Sequence, residues 1–196
     1  MPRLFSAIEL PDDVKGQLAG LPDHLAGARF LDIDALHLTL RFFGEVDRHV
    51  TREIMDGLAA VDCDPFELRI TGLGVFGGEQ PRTLVATIEA SKALFELQSR
   101  HERVARSAGL PPESRKFSPH VSIARLKGTR PAAVADYISG AGLFAPLAFP
   151  VEAFLVMSAK PLTGGGPYRV EADFPLVPYD EADFDGLEER PDAEDH

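Results

Sequence analysis

Two tetrapeptides constrain this chain more than any other feature: His37-Leu38-Thr39-Leu40 and His120-Val121-Ser122-Ile123. Each is a histidine, an apolar residue, a hydroxyl residue and an apolar residue, set in a run that reads as a β-strand. Side chains alternate faces along a strand. His37 and Thr39 therefore share one face, and Leu38 and Leu40 the other. The same holds for His120 and Ser122 against Val121 and Ile123. The apolar face can join a core. The polar face offers an imidazole and a hydroxyl about 7 Å apart along the strand. Two such faces turned toward each other surround one small anionic group with two histidines and two hydroxyls.

The rest of the chain is organised around these strands. Leu4 to Leu10 reads as a strand, and Pro11 starts a helix with Val14, Leu18 and Leu21 on one face. The first motif strand runs from His37 to Phe43 and is ended by Gly44. Asp47 caps a helix carrying Val50, Ile54, Leu58 and Val61. A strand follows at 66–70, leading into a glycine-rich segment at 72–78. The second half repeats this order. A strand at 83–89 is followed by a helix with Leu94, Leu97, Val104 and Ala108 on one face, stopped by Gly109 and Pro111. Pro119 opens the second motif strand, and a short helix follows from Thr129 and Pro131. A strand near Pro150 to Ser158, a turn at 163–167 and a strand at 168–176 complete the fold.

The order strand, helix, motif strand, helix, strand thus occurs twice, with the motif histidines 83 residues apart. The expectation is an α+β fold of two lobes, each an antiparallel sheet with helices, related by a pseudo-two-fold around a central cleft. The lobes fall roughly at 1–78 and 79–178, within one domain and with room for strands to cross between them. The net charge is -11, of which residues 179–196 hold -8, leaving the body at -3. That tail reads as a solvated, disordered appendage. A near-neutral body with no basic stripe points away from binding along a nucleic-acid duplex and toward contact at an end.

The two motifs resemble the paired signatures of the 2H phosphoesterases. Leu4 to Pro11 (LFSAIELP), His37 to Val46 (HLTLRFFGEV), Pro81 to Leu84 (PRTL) and Phe117 to Arg125 (FSPHVSIAR) are similar to the bacterial and archaeal RNA 2',3'-cyclic phosphodiesterases, formerly described as 2'-5' RNA ligases. The resemblance spans about Leu4 to Leu176. Two departures are Ser122 in place of the commoner threonine and Phe30 where a tryptophan is expected. The resemblance implies hydrolysis of RNA 2',3'-cyclic phosphate ends to 2'-phosphomonoesters, without metal or other cofactor, and leaves reversible 2'-5' ligation open as a further activity. It implies His37 as proton donor and His120 as proton acceptor; spacing alone does not assign the two roles.

The residue chemistry fits such a reaction. Two imidazoles can take and give protons near neutral pH. Thr39 and Ser122 can donate hydrogen bonds to phosphate oxygens. Strict alternation puts Arg41 on the face of His37 and Thr39, and Arg125 on the face opposite His120. The resemblance favours Arg125 as a phosphate ligand, geometry favours Arg41, and a β-bulge would reconcile them. Phe76 is a base-stacking candidate. Partners are RNA ends bearing a cyclic phosphate, or small cyclic nucleotides. The rival readings are a phosphodiesterase acting on a small cyclic nucleotide or a cyclic ADP-ribose phosphate, and a non-catalytic RNA-end-binding module.

Other signals are discounted. Gly72 to Gly77 matches GxGxxG, but a strand rather than a helix follows it. His24, His49 and His101 read as surface or helix-face residues. Cys63 is alone and flanked by Asp62 and Asp64, so a structural role is expected. Lys160 near Gly164 to Gly166 lacks P-loop order. No run reaches the length of a membrane helix or a signal peptide, and a cytoplasmic monomer is the expectation.

Overall fold

A computed structural model describes residues 3–141, 145–159 and 168–177. The expected turn at 163–167, Lys160 and the acidic tail from 179 lie outside these residues. The elements are β1 (Arg3–Glu9), α1 (Asp12–Ala19), β2 (Ala28–Phe30), β3 (His37–Glu45), α2 (Arg48–Ala59), β4 (Phe66–Phe76), β5 (Thr83–Ile88), α3 (Lys92–Ser107), β6 (His120–Leu126), α4 (Pro131–Gly140), β7 (Leu147–Val151), β8 (Ala153–Ala159) and β9 (Tyr168–Pro175).

Local chemistry accounts for the helix starts. The Asp47 carboxylate accepts from the amides of His49 and Val50, and the Ser91 hydroxyl accepts from the amide of Leu94. Pro131 begins α4, where its missing N–H costs nothing. Each helix turns one apolar stripe inward. Val14 and Leu18, Ile54 and Leu58, Leu94 and Leu97, and Val134 all join a single core with Leu38, Leu84, Val121 and Val156 of the strands.

The strands form one antiparallel sheet in the order β7-β4-β5-β6-β3-β1-β8-β9, with β2 on β6. The order is symmetric about its centre. One half is β6, β5, β4, β7, and the other is β3, β1, β8, β9. Position for position, β3 answers to β6, β1 to β5 and β8 to β4. The closing strand of each repeat has changed sides: β4 pairs with β5, and β8 with β1. Among the described residues, strands β3 and β6 of the two halves pair at Leu38 and Val121. The two polar faces therefore lie side by side on one sheet surface, not opposed across a gap.

Four boundaries differ from the sequence reading. Gly44 adopts φ 79° and sits at a register shift inside β3, which continues to Glu45. The glycine-rich segment is mostly strand, since β4 runs on to Phe76. The single strand expected near Pro150 to Ser158 is two, β7 and β8, divided at Glu152. Pro150 is tolerated because β7 is an edge strand. The three-residue β2 had no strand signal of its own. No helix among the described residues is long and apolar enough to cross a membrane.

Candidate active site

The antiparallel direction at the Leu38–Val121 pair sets His37 beside Ser122 and Thr39 beside His120. Each histidine thus neighbours the hydroxyl of the other motif. Thr39, His120 and Ser122 line one cleft of about 570 Å³.

Both motif strands carry the same irregularity. Ala7 faces Thr39, but the next step of β1, Ser6, faces Arg41, so Leu40 is an extra residue. Val85 faces Ser122, but Leu84 faces Ala124, so Ile123 is extra. Each is a β-bulge directly after the hydroxyl, and each reverses the alternation beyond it. The two strands show identical exposure: half-buried histidine, buried, half-buried hydroxyl, buried, buried, exposed, buried. Arg125 and Phe42 consequently join the face of the histidines. Arg41 and Ala124 turn to the buried face.

The expectation that strict alternation puts Arg41 beside His37 and Thr39 is therefore corrected. The Arg41 side chain is 8% exposed. Its Nη1 donates to the Phe42 carbonyl at 2.6 Å and its Nη2 to the Pro111 carbonyl at 2.7 Å. Nε lies 2.6 Å from Glu102 Oε2, a charge contact out of line with the N–H, and Nη1 lies 3.8 Å from Glu113 Oε2. Both terminal nitrogens are thus engaged by backbone carbonyls. Arg125 is exposed and lies across from Thr83 on the cleft-facing side.

The two histidines sit in different surroundings. The His37 ring stacks on Phe5 at 5.0 Å and meets the edge of Tyr168 at 5.0 Å. Its Nε2 is 3.1 Å from Thr39 Oγ1, and its Nδ1 is buried without an aligned partner. Burial pushes its pKa down to about 4; the Ala35 backbone opposes this, and His120 and Lys15 add to it. His120 is half-buried, with its Nδ1 2.7 Å from the Ser118 carbonyl. A carbonyl can only accept, so Nδ1 carries the hydrogen and the neutral ring leaves Nε2 as its lone-pair nitrogen. Phe76 meets the His120 ring edge-on at 4.7 Å.

Phe76, the expected stacking residue, lines the cleft and is 39% exposed; the cleft also collects residues that the sequence did not single out, among them Phe42, 57% exposed. Arg82, Arg115 and Lys116 line the same cleft. Among the described residues, neither Arg82 nor Lys116 forms an ion pair. Phe5 and Tyr168 were missed because an apolar strand residue carries no local mark of what it stacks on. Ion-pairing positions such as Glu102 were equally invisible. Of the discounted histidines, His49 is exposed beside Glu53, but His101 is fully buried, with Nδ1 2.7 Å from Ser6 Oγ. Cys63 is half-buried, and burial raises its thiol pKa. No cluster of three or more metal-ligating side chains is found among the described residues.

Comparison with known proteins gives consistent matches. A family model described as the 2'-5' RNA ligase superfamily matches residues 11–160. The RNA 2',3'-cyclic phosphodiesterase of Aeropyrum pernix is 36% identical over 121 residues, 59% of this chain and 69% of that protein. Its counterpart in Methanothermobacter thermautotrophicus is 30% identical over 137 residues, 65% of this chain and 73% of that protein. Among solved structures, E. coli LigT complexed with 3'-AMP superposes with a TM-score of 0.73 at 23% identity, covering 90% of this chain and 99% of LigT. A Thermus thermophilus protein matches with a TM-score of 0.72 at 26% identity, covering 89% of this chain and 97% of that one.

Proposed function

The chain belongs to the 2'-5' RNA ligase superfamily of 2H phosphoesterases, and from that premise we propose that it hydrolyses 2',3'-cyclic phosphate ends of RNA to 2'-phosphomonoesters. The observation that carries this reading is the pairing of two histidine–hydroxyl motifs on adjacent strands, each with the same bulge.

In the proposed reaction, water attacks phosphorus as His120 Nε2 takes its proton. The Ser118 carbonyl, by holding the hydrogen on Nδ1, keeps Nε2 free for that task. The P–O3' bond breaks, and His37 gives its proton to the departing O3'. Thr39 and Ser122 hydroxyls, with the Arg125 guanidinium, bind the non-bridging oxygens as charge builds on them. This reading gives the phosphate contact to Arg125 and not Arg41, whose terminal nitrogens are taken by the Phe42 and Pro111 carbonyls. Phe76 and Phe42 offer faces and edges on which a base can stack, and Arg82, Arg115 and Lys116 supply the positive charge that favours an RNA strand. With a 5'-hydroxyl in place of water the same groups serve joining to a cyclic end: the hydroxyl oxygen bonds to phosphorus as His120 Nε2 takes its proton, the P–O3' bond breaks, and O3' leaves with the proton of His37.

The test is incubation of a short RNA ending in a 2',3'-cyclic phosphate with the purified protein in EDTA, with separation of the 2'- and 3'-phosphate products. A single 2'-phosphate product is expected. A 3'-phosphate product, or turnover only after a divalent ion is added, overturns the reading.

A further inference from the structure

Arg41 is a buried cation that the proposed chemistry does not use, and a buried charge is costly unless it is paired and hydrogen-bonded. Its partners come from two places. Glu102 belongs to α3, whereas Pro111 and Glu113 belong to the irregular segment between α3 and β6. The same carboxylates continue into that segment's backbone. Glu102 Oε1 accepts from the Glu113 amide at 3.1 Å, and Glu113 Oε1 accepts from the Arg115 amide at 3.2 Å. A few residues on, the segment reaches Ser118, whose carbonyl accepts from His120 Nδ1. A path thus runs from the bulge of the first motif strand through the Arg41 contacts to Glu113 and Arg115, then along the chain to Ser118 and the histidine of the second motif.

We infer that Arg41 is a positioning residue that, through Glu102, Glu113 and the Pro111 carbonyl, holds the 111–118 segment so that the Ser118 carbonyl fixes the His120 ring. The inference rests on the role of His120 in the proposed function. The bulge after Thr39 takes Arg41 out of strict alternation with His37 and Thr39, and the side chain reaches Pro111 and Glu113 at the edge of the cleft that Arg41 and Glu113 both line. The pseudo-two-fold gives a contrast within the molecule. The mate of Arg41 is Ala124, a fully buried residue with no polar reach. The link therefore exists in one direction only, from the first motif to the second.

The test uses the full chain with Arg41→Met, Arg41→Lys and Glu113→Ala. Lysine keeps a cation opposite Glu102 but lacks the planar fork that reaches Pro111 and Phe42 together. It covers the case in which the methionine variant fails to fold. Two readouts are taken: steady-state kinetics on a cyclic-phosphate RNA, and 15N NMR of the imidazoles to identify the His120 tautomer. Folded variants are expected to lose about 10-fold or more in kcat, with a smaller change in KM, as mispositioned catalytic groups do. The neutral His120 ring is expected to lose its Nδ1–H preference. Folded variants with wild-type kcat, or with the His120 tautomer unchanged, overturn the inference. The tautomer readout needs no turnover, so it decides the link even if the wild-type protein fails to open cyclic phosphates, a result that counts against the proposed function alone.

Discussion

Burial of His37 sets the pH at which its imidazole can carry a proton. Packed between Phe5 and Tyr168, the ring is held to a pKa of about 4 by burial. In the proposed reaction His37 must be charged when it acts as donor, and an anionic phosphodiester beside it would supply the favourable charge that restores the proton. The pH profile of kcat/KM reports the free protein and that of kcat the complex. The limb that reflects loss of the His37 proton is therefore expected at higher pH in kcat than in kcat/KM. Coincident limbs contradict this account of His37. At this scale the sequence was most informative for residues that speak through their own chemistry. The four-residue pattern singled out His37, Thr39, His120 and Ser122, and the structure brings their two strands into register at Leu38 and Val121. Arg41 and Arg125 were not, because which face each took depended on a one-residue backbone insertion. A bulge after the hydroxyl leaves no distinctive residue behind: Leu40-Arg41 and Ile123-Ala124 share no side-chain chemistry.

The elements explain why the site has a firm floor. Strand β1 is buried on both faces, and its helix-side Ser6 meets His101 from α3. His101 stands at the position that Leu94 and Leu97 predict for the buried stripe, so its burial was legible in the spacing even though its polarity suggested otherwise. Its ring is pushed by burial to a pKa of about 3. Both His37 and His101 thus have folded pKa values below the 6.5 of an unperturbed imidazole. Between those limits the unfolded chain binds more protons than the folded one, so stability is fullest above pH 6.5 and is lost as pH falls toward 4. Urea midpoints are expected to be flat above neutrality and to decline below it. Each histidine contributes a slope of up to about 1.4 kcal/mol per pH unit. The double substitution Ser6→Ala with His101→Leu removes both partners together and is expected to reduce that slope by about half. An unchanged slope contradicts the assignment to His101. Short elements were the hardest to read. Strand β2 has three residues, and β7 was merged with β8 into one expected strand from Pro150, because a proline inside a strand is tolerated only at an edge, which sequence order does not reveal.

For the whole molecule, the duplication was visible in the order of elements, but the exchange of closing strands was not. Nothing local in β4 or β8 says which half it will pair with. The exchange ties the halves together, since the direct seam between β3 and β6 is a single residue pair. The acidic segment 179–196 carries -8 of the net charge and lies beyond the last sheet strand. Deleting it is expected to leave kcat on a cyclic mononucleotide within about twofold of the full chain, because the proposed chemistry draws on no residue past Tyr168; a larger loss gives the tail a part in the site. The central claim is that two histidines, one from each half, act together on one phosphorus. It is tested most directly by single-turnover hydrolysis of a cyclic-phosphate RNA by His37→Ala, His120→Ala and the double variant, all verified as folded. The account predicts a loss of at least ~10²-fold for each single variant. It also predicts a double variant much less impaired than the product of the two losses, as for groups that act as a unit. Near-wild-type turnover by either single variant contradicts it.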